Sequence, residues 1–123
     1  MVAYTLDSGI SRIDFVVPQG SDVTLTVPIL DATGAPQTVT GWTAKAQVKR
    51  RVNDATVYYE WNTTAGVAVA QCVGTNLLLK IPASVSLLWA WRTGVWDAVV
   101  TSPDPTVSRP AGGLIRVQPI VTR

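Results

Sequence analysis

The chain has 123 residues, of which 15 % are charged and 47 % hydrophobic, with one cysteine, no histidine and a formal net charge of +2. That size suits one domain with a real core, and the composition is too apolar for a disordered chain. One cysteine excludes an intramolecular disulfide, and zero histidines exclude a Ser–His–Asp or Cys–His arrangement and most zinc sites. The charge content is also below the usual quarter or so, which suggests surface not meant to meet water.

Residues 1–11 show little pattern and read as an N-terminal arm or edge segment ahead of a single domain at 12–123. They lack a basic stretch followed by an apolar one, and no apolar run in the chain approaches 18 residues, so neither an export signal nor a membrane span is expected. Ile13, Phe15 and Val17 alternate with Arg12, Asp14 and Val16, and Val23, Leu25, Val27 and Ile29 alternate with polar residues. Each stretch predicts a strand with one buried face, separated by a turn at Pro18-Gln19-Gly20. Pro28 predicts an edge strand or a bulge.

Asp31-Ala32-Thr33-Gly34-Ala35-Pro36 predicts a turn. In the strand that follows, at 42–51, Ala44, Ala46 and Val48 take one face and Lys45, Gln47, Lys49 and Arg51 the other. Asn53-Asp54 turns the chain into a β-branched and aromatic strand at 56–61. Val67, Val69, Gln71 and Val73 begin another strand, and Gly74-Thr75-Asn76 connects it tightly to 77–81. Residues 82–91 lack alternation and predict a short helical turn or irregular crossover opened by Pro82. Residues 95–101 are apolar on both faces except at Asp97, as in a central, well-covered strand. Three prolines make 102–110 a tip loop, and Gly112-Gly113 opens a last strand at 114–121. About eight short strands with regular turn signals predict an all-β fold, an antiparallel β-sandwich with one short helical or irregular crossover.

No catalytic, cofactor-binding or metal-ligating set emerges. Most carboxylates sit at turns or strand ends, and no glycine cluster opens a helix as a phosphate loop would. Asp97, inside an apolar strand, reads as a buried structural acid bonded to backbone amides or paired with Arg92 or Arg116, ahead of a catalytic or metal-binding role. The Lys45, Lys49, Arg51 stripe, with Arg50 beside it, reads first as a solvated face that blunts an edge strand. Its second reading is a docking face for an acidic neighbour; nucleic acid ranks last, because aromatic interleaving is poor. Trp42, Trp61 and Trp96 read as core anchors. Trp89 and Trp91 read first as core, then as an interface hot spot, then as a sugar-stacking platform with Tyr58 and Tyr59. Asn62-Thr63-Thr64 matches the glycosylation pattern, which means little without an export signal.

Taken in order, several segments resemble small β-sandwich proteins of tailed bacteriophage particles. They are Phe15-Val16-Val17-Pro18-Gln19-Gly20-Ser21-Asp22; the turn at 31–36 followed by Thr40-Gly41-Trp42 and Ala46-Gln47-Val48-Lys49; Ile81-Pro82-Ala83-Ser84; Gly94-Val95-Trp96-Asp97-Ala98-Val99; and Gly112-Gly113-Leu114-Ile115-Arg116-Val117 before Val121-Thr122. The chain is similar to minor tail proteins of phages infecting actinobacteria and, more distantly, to the N-terminal modules of baseplate proteins. It departs from them at Trp96, where tyrosine is commoner, and in the proline-heavy 102–110 loop. The resemblance implies a non-enzymatic virion component without cofactors, assembled in the host cytoplasm. It would be present in symmetric copies, as a homo-oligomer, with tail, baseplate or capsid subunits as partners and no nucleic acid or membrane. A capsid decoration protein on the head is the alternative, and a carbohydrate-binding module the second alternative. The Lys45–Lys49–Arg51 face, Trp89, Trp91 and the N-terminal arm are the expected working surfaces.

Overall fold

The computed structural model describes residues 3–5, 11–31, 33–63 and 70–121. Their strands are β1 (Ala3–Thr5), β2 (Ser11–Ile13), β3 (Phe15–Pro18), β4 (Val23–Pro28), β5 (Thr43–Lys49), β6 (Val57–Asn62), β7 (Ala70–Val73), β8 (Asn76–Ile81), β9 (Thr93–Thr101) and β10 (Val107–Gln118). The one helix among them, α1, is Ala83–Ser86. Two sheets pack as an all-β sandwich. The seven-stranded sheet runs β1-β2-β10-β9-β5-β6, with β3 also on β10, and the three-stranded sheet runs β4-β8-β7.

Alternation sets the inner faces. Leu25 and Val27 of β4 lie opposite Leu79 and Leu77 of β8. With Ile81 they meet Val48, Trp61, Trp96, Val100 and Ile115 of the larger sheet in one buried cluster. Pro28 ends the edge strand β4, where its missing amide costs no ladder bond. The β7–β8 hairpin turns on Gly74 (φ 60°) and Thr75, with positive φ at the first central position alone, as a type II′ turn needs. Val67 and Val69, assigned to the strand before that turn, lie outside the described residues, as do Thr64 of the glycosylation pattern and Thr122. Within the arm, Ala3–Thr5 forms an edge strand antiparallel to β2, and the rest of 1–10 lies outside the described residues.

The structure differs from the expected pattern around β10. This strand starts at Val107, well before Gly112, and pairs in parallel with both β2 and β3 while running antiparallel to β9. Pro110 sits in the register shift between Ser108 and Ala111, where no ladder amide is required. The tip loop is therefore short, and Ser102 N donates to Thr106 O across it (3.0 Å). Gly112 and Gly113 do not turn the chain; they let backbones approach. A Cβ on Gly113 would overlap the Ile13 carbonyl oxygen and stand 2.7 Å from Asp14 Oδ1. Asp14 interrupts the strand between β2 and β3, and its Oδ1 accepts the Leu114 amide (2.9 Å), replacing a ladder carbonyl.

The crossover at 82–92 is short-helical and irregular, as expected, and the 19–22 corner holds it. Asp22 Oδ1 accepts the Ala83 amide at the start of α1 (2.8 Å), and the Gly20 amide donates to Ser86 Oγ (2.8 Å). Gln19 is 2 % exposed, and its Nε2 donates to the carbonyls of Ser86 (3.0 Å), Leu87 (3.3 Å) and Trp89 (3.0 Å). The Ser86 carbonyl also accepts the Trp89 amide (3.0 Å), while Leu87 and Trp89 lie past the helix end, where no intrahelical donor reaches their carbonyls. Gln19→Leu is expected to cost about 1–3 kcal/mol in denaturant unfolding and to speed amide exchange across 86–91. Unfolding and exchange like those of the parent chain would show that the clamp contributes nothing.

Candidate functional site

The outward face of the seven-stranded sheet carries Lys45 and Lys49 of the expected cationic stripe, and the strand register builds it. Inward Ala44, Ala46 and Val48 force Lys45, Gln47 and Lys49 outward on β5. Gln47 lies opposite Glu60 of β6 on one side and Asp97 of β9 on the other. Its Nε2 donates to Glu60 Oε1 (2.7 Å), and Lys45 Nζ stands 3.6 Å from the same oxygen. The Gln47 bond, then the Lys45 charge, holds the Glu60 carboxyl below its ordinary pKa.

Asp97 corrects the expectation of a buried acid. Its side chain is 57 % exposed and pairs with Arg109 (Nη1–Oδ2, 3.2 Å), not with Arg92 or Arg116. The reason is geometric: β9 is central within its sheet, but nothing among the described residues layers over its outward face. Val95 and Val99, which share that face, are only half-buried. The acid thus stays hydrated and needs no buried partner. Two shallow depressions, of about 230 and 180 Å³, lie around the Asp97–Arg109 pair.

The cationic stripe is also redrawn. β5 is interior, between β6 and β9, so it has no open edge for its charges to blunt. Arg51 leaves the face, because β5 ends at Lys49 and the chain turns, with Asp54 N donating to Arg51 O (3.0 Å) and Arg50 Nε paired to Asp54 Oδ2 (3.3 Å). Arg109 and Arg116 of β10 join Lys45 and Lys49 instead. Sequence reading missed Arg109 here because the prolines on both sides of it indicated a loop.

Trp89 and Trp91 do not form an exposed platform. Trp89 is 9 % exposed and belongs to the core, while Trp91 is half-buried. Tyr58 stacks on Trp91 (5.0 Å, 10°), Trp91 meets Trp89 (4.7 Å), Trp89 meets Tyr59 (5.4 Å) and Tyr59 meets Trp61 edge-on (5.1 Å). Tyr58 and Trp91 thus turn one face each to the other, and Gln19 bonds the Trp89 carbonyl where the crossover meets the sheet end. Trp61 and Trp96 are buried anchors, as expected, and Trp42 packs at the core's margin.

No three His, Cys, Asp or Glu side chains converge among the described residues, and no helix there is long and apolar enough to cross a membrane. Cys72 is half-buried, and burial pushes its thiol pKa up, so little thiolate forms near neutrality. No protein-family model matches the chain, and no curated protein is similar to it in sequence.

The carboxylates predict an acid limb of stability. Asp14, held chiefly by the Leu114 amide, Asp31, held chiefly by the Thr33 hydroxyl, and Glu60 all lie below their ordinary pKa. A carboxyl depressed by folding contributes stability above its unfolded pKa and loses it as pH falls through the folded value. With no histidine to titrate, the thermal midpoint should be level from about pH 6 to 8 and fall below about pH 4. A midpoint at pH 3 equal to that at pH 7 would contradict this.

Proposed function

We propose that the chain is a non-enzymatic structural component of a bacteriophage virion: a minor tail or baseplate protein that assembles in symmetric copies and organises neighbouring tail proteins. One observation carries the reading. The outward face of the larger sheet carries cross-strand contacts at Gln47–Glu60 and Asp97–Arg109, and on the same face Val16 (50 % exposed) and Leu114 (48 % exposed) stand beside Arg116 and Val95. Such a face can dock with little loss of conformational freedom, since its backbone and several side chains are already ordered. Partners dock on contiguous apolar surface, and Val16, Leu114 and Val95 adjoin through the β3–β10–β9 register. The low charge content and the ordered resemblance of segments from residue 13 onward to phage minor tail proteins support the same reading.

Immunogold labelling of purified phage particles tests it. Label at the tail tip or baseplate is the expected result. Label over the head would replace the tail role with capsid decoration, and unlabelled particles would remove the chain from the virion.

A further inference from the structure

Among the described residues, every carboxylate already has a local partner. Asp14 accepts from Leu114 and Arg12, Asp22 from Ala83, and Asp31 from Thr33 and Ala35. Asp54 takes Arg50, Glu60 takes Gln47 and Lys45, Asp97 takes Arg109, and Asp104 takes Ser102. Two cations on the outward sheet face have no such partner: Lys49 and Arg116 make no ion pair or side-chain hydrogen bond among the described residues. Between them lies an apolar stripe. Val95 is directly opposite Lys49 on one side and Leu114 on the other, and Val16 lies beside Arg116.

We infer that this stripe receives an acidic segment of a different protein, not a second copy of this chain; the inference rests on the virion reading and names the partner's chemistry. A second copy that met this face with the same face would bring the same unpaired Lys49 and Arg116, and the described carboxylates of that face, Asp14, Glu60 and Asp97, are each already ion-paired. Like charges brought together unpaired disfavour that contact. Strand spacings put the Lys49 and Arg116 backbones roughly 12 Å apart, two strands across and two residues along. An extended segment reading acid-x-apolar-x-acid spans about 13 Å between its acids on one face, so it can set carboxylates on both cations and its apolar residue on Val95 and Leu114. The segment covers only part of the face, which is about 550 Å² at five strand positions about 4.8 Å apart and about seven residues long. A partner whose surface extends around the segment to cover the whole face buries about 1,100 Å² over both partners, near the lower end of specific interfaces.

The test replaces Leu114 with photo-reactive benzoylphenylalanine, irradiates infected-cell lysate and purified particles, and sequences the cross-linked peptides by mass spectrometry. The expected product is a different chain, joined at a segment with acids flanking an apolar residue. Its yield should drop about tenfold or more in the Lys49→Glu, Arg116→Glu double variant, whose thermal midpoint stays unchanged. Cross-links to a second copy, to a segment without acids, or in unchanged yield from the double variant would overturn the inference. An acidic partner found in lysate, with the chain missing from particles, would uphold the inference and remove the virion reading. The chain in particles with no Leu114 cross-link would do the reverse.

Discussion

Gly113→Ala lowers the unfolding free energy by about 3 kcal/mol or more, and the thermal midpoint by about 10 °C or more. The added Cβ meets backbone, which cannot rotate away as a side chain could: the Ile13 carbonyl oxygen, and the Ile13 carbonyl carbon at 2.8 Å. Asp14 Oδ1, at 2.7 Å, is tied to the Leu114 amide and cannot withdraw without orphaning it. Relief would need β10 to part from β2 and β3, although its other side is held in register by β9. Gly34→Ala serves as the control for a bare glycine effect: its Cβ meets nothing within 4 Å, and its only strain is a φ of 85° in an exposed turn. A Gly113→Ala midpoint no lower than that of the control would mean the close approach is not there.

The second large effect falls on the same carbonyl from the other side. Trp96 is 4 % exposed, its Nε1 donates to Ile13 O (2.9 Å), and its ring meets Phe15 (5.2 Å). Trp96→Ala should cost about 3–5 kcal/mol through the cavity it leaves. Trp96→Phe keeps most of the apolar contact but leaves the Ile13 carbonyl without that donor, and should cost about 1–3 kcal/mol. Denaturant unfolding separates the two. A loss below about 1 kcal/mol for Trp96→Ala would remove Trp96 from the core.

These two residues show what could and could not be read along the chain. Period-two patterning is local, so the inward faces of β4 and β5, and Trp96 as an anchor, were legible from alternation alone. Gly113 was legible only as a glycine; its nearness to Ile13 depends on a parallel pairing between segments about a hundred residues apart, which no local pattern encodes. The reading of Asp97 failed on the same ground. Apolar neighbours at Val95 and Val99 suggest a covered strand, but whether a second layer reaches that face is decided by the other sheet's three strands. Gln19 hid because a polar residue in a Pro-Gln-Gly turn looks solvated, and the carbonyls it serves lie 67 to 70 positions away.

The candidate surface was half legible. Lys45 and Lys49 were placed correctly, since strand alternation alone puts them outward. Arg51 fell off the face where β5 ended, and Arg109 and Arg116 arrived from a strand whose start the prolines concealed. That every described carboxylate has a hydrogen-bond or ion-pair partner while Lys49 and Arg116 have none among the described residues depends on side-chain partners and cannot be drawn from composition.

Quantitative mass spectrometry of density-purified phage particles tests the structural role most directly. The chain should band with the particles at a fixed ratio to a tail protein, unchanged from fraction to fraction. A chain left in the soluble fractions, or one whose ratio drifts across the band, would contradict a place in the virion.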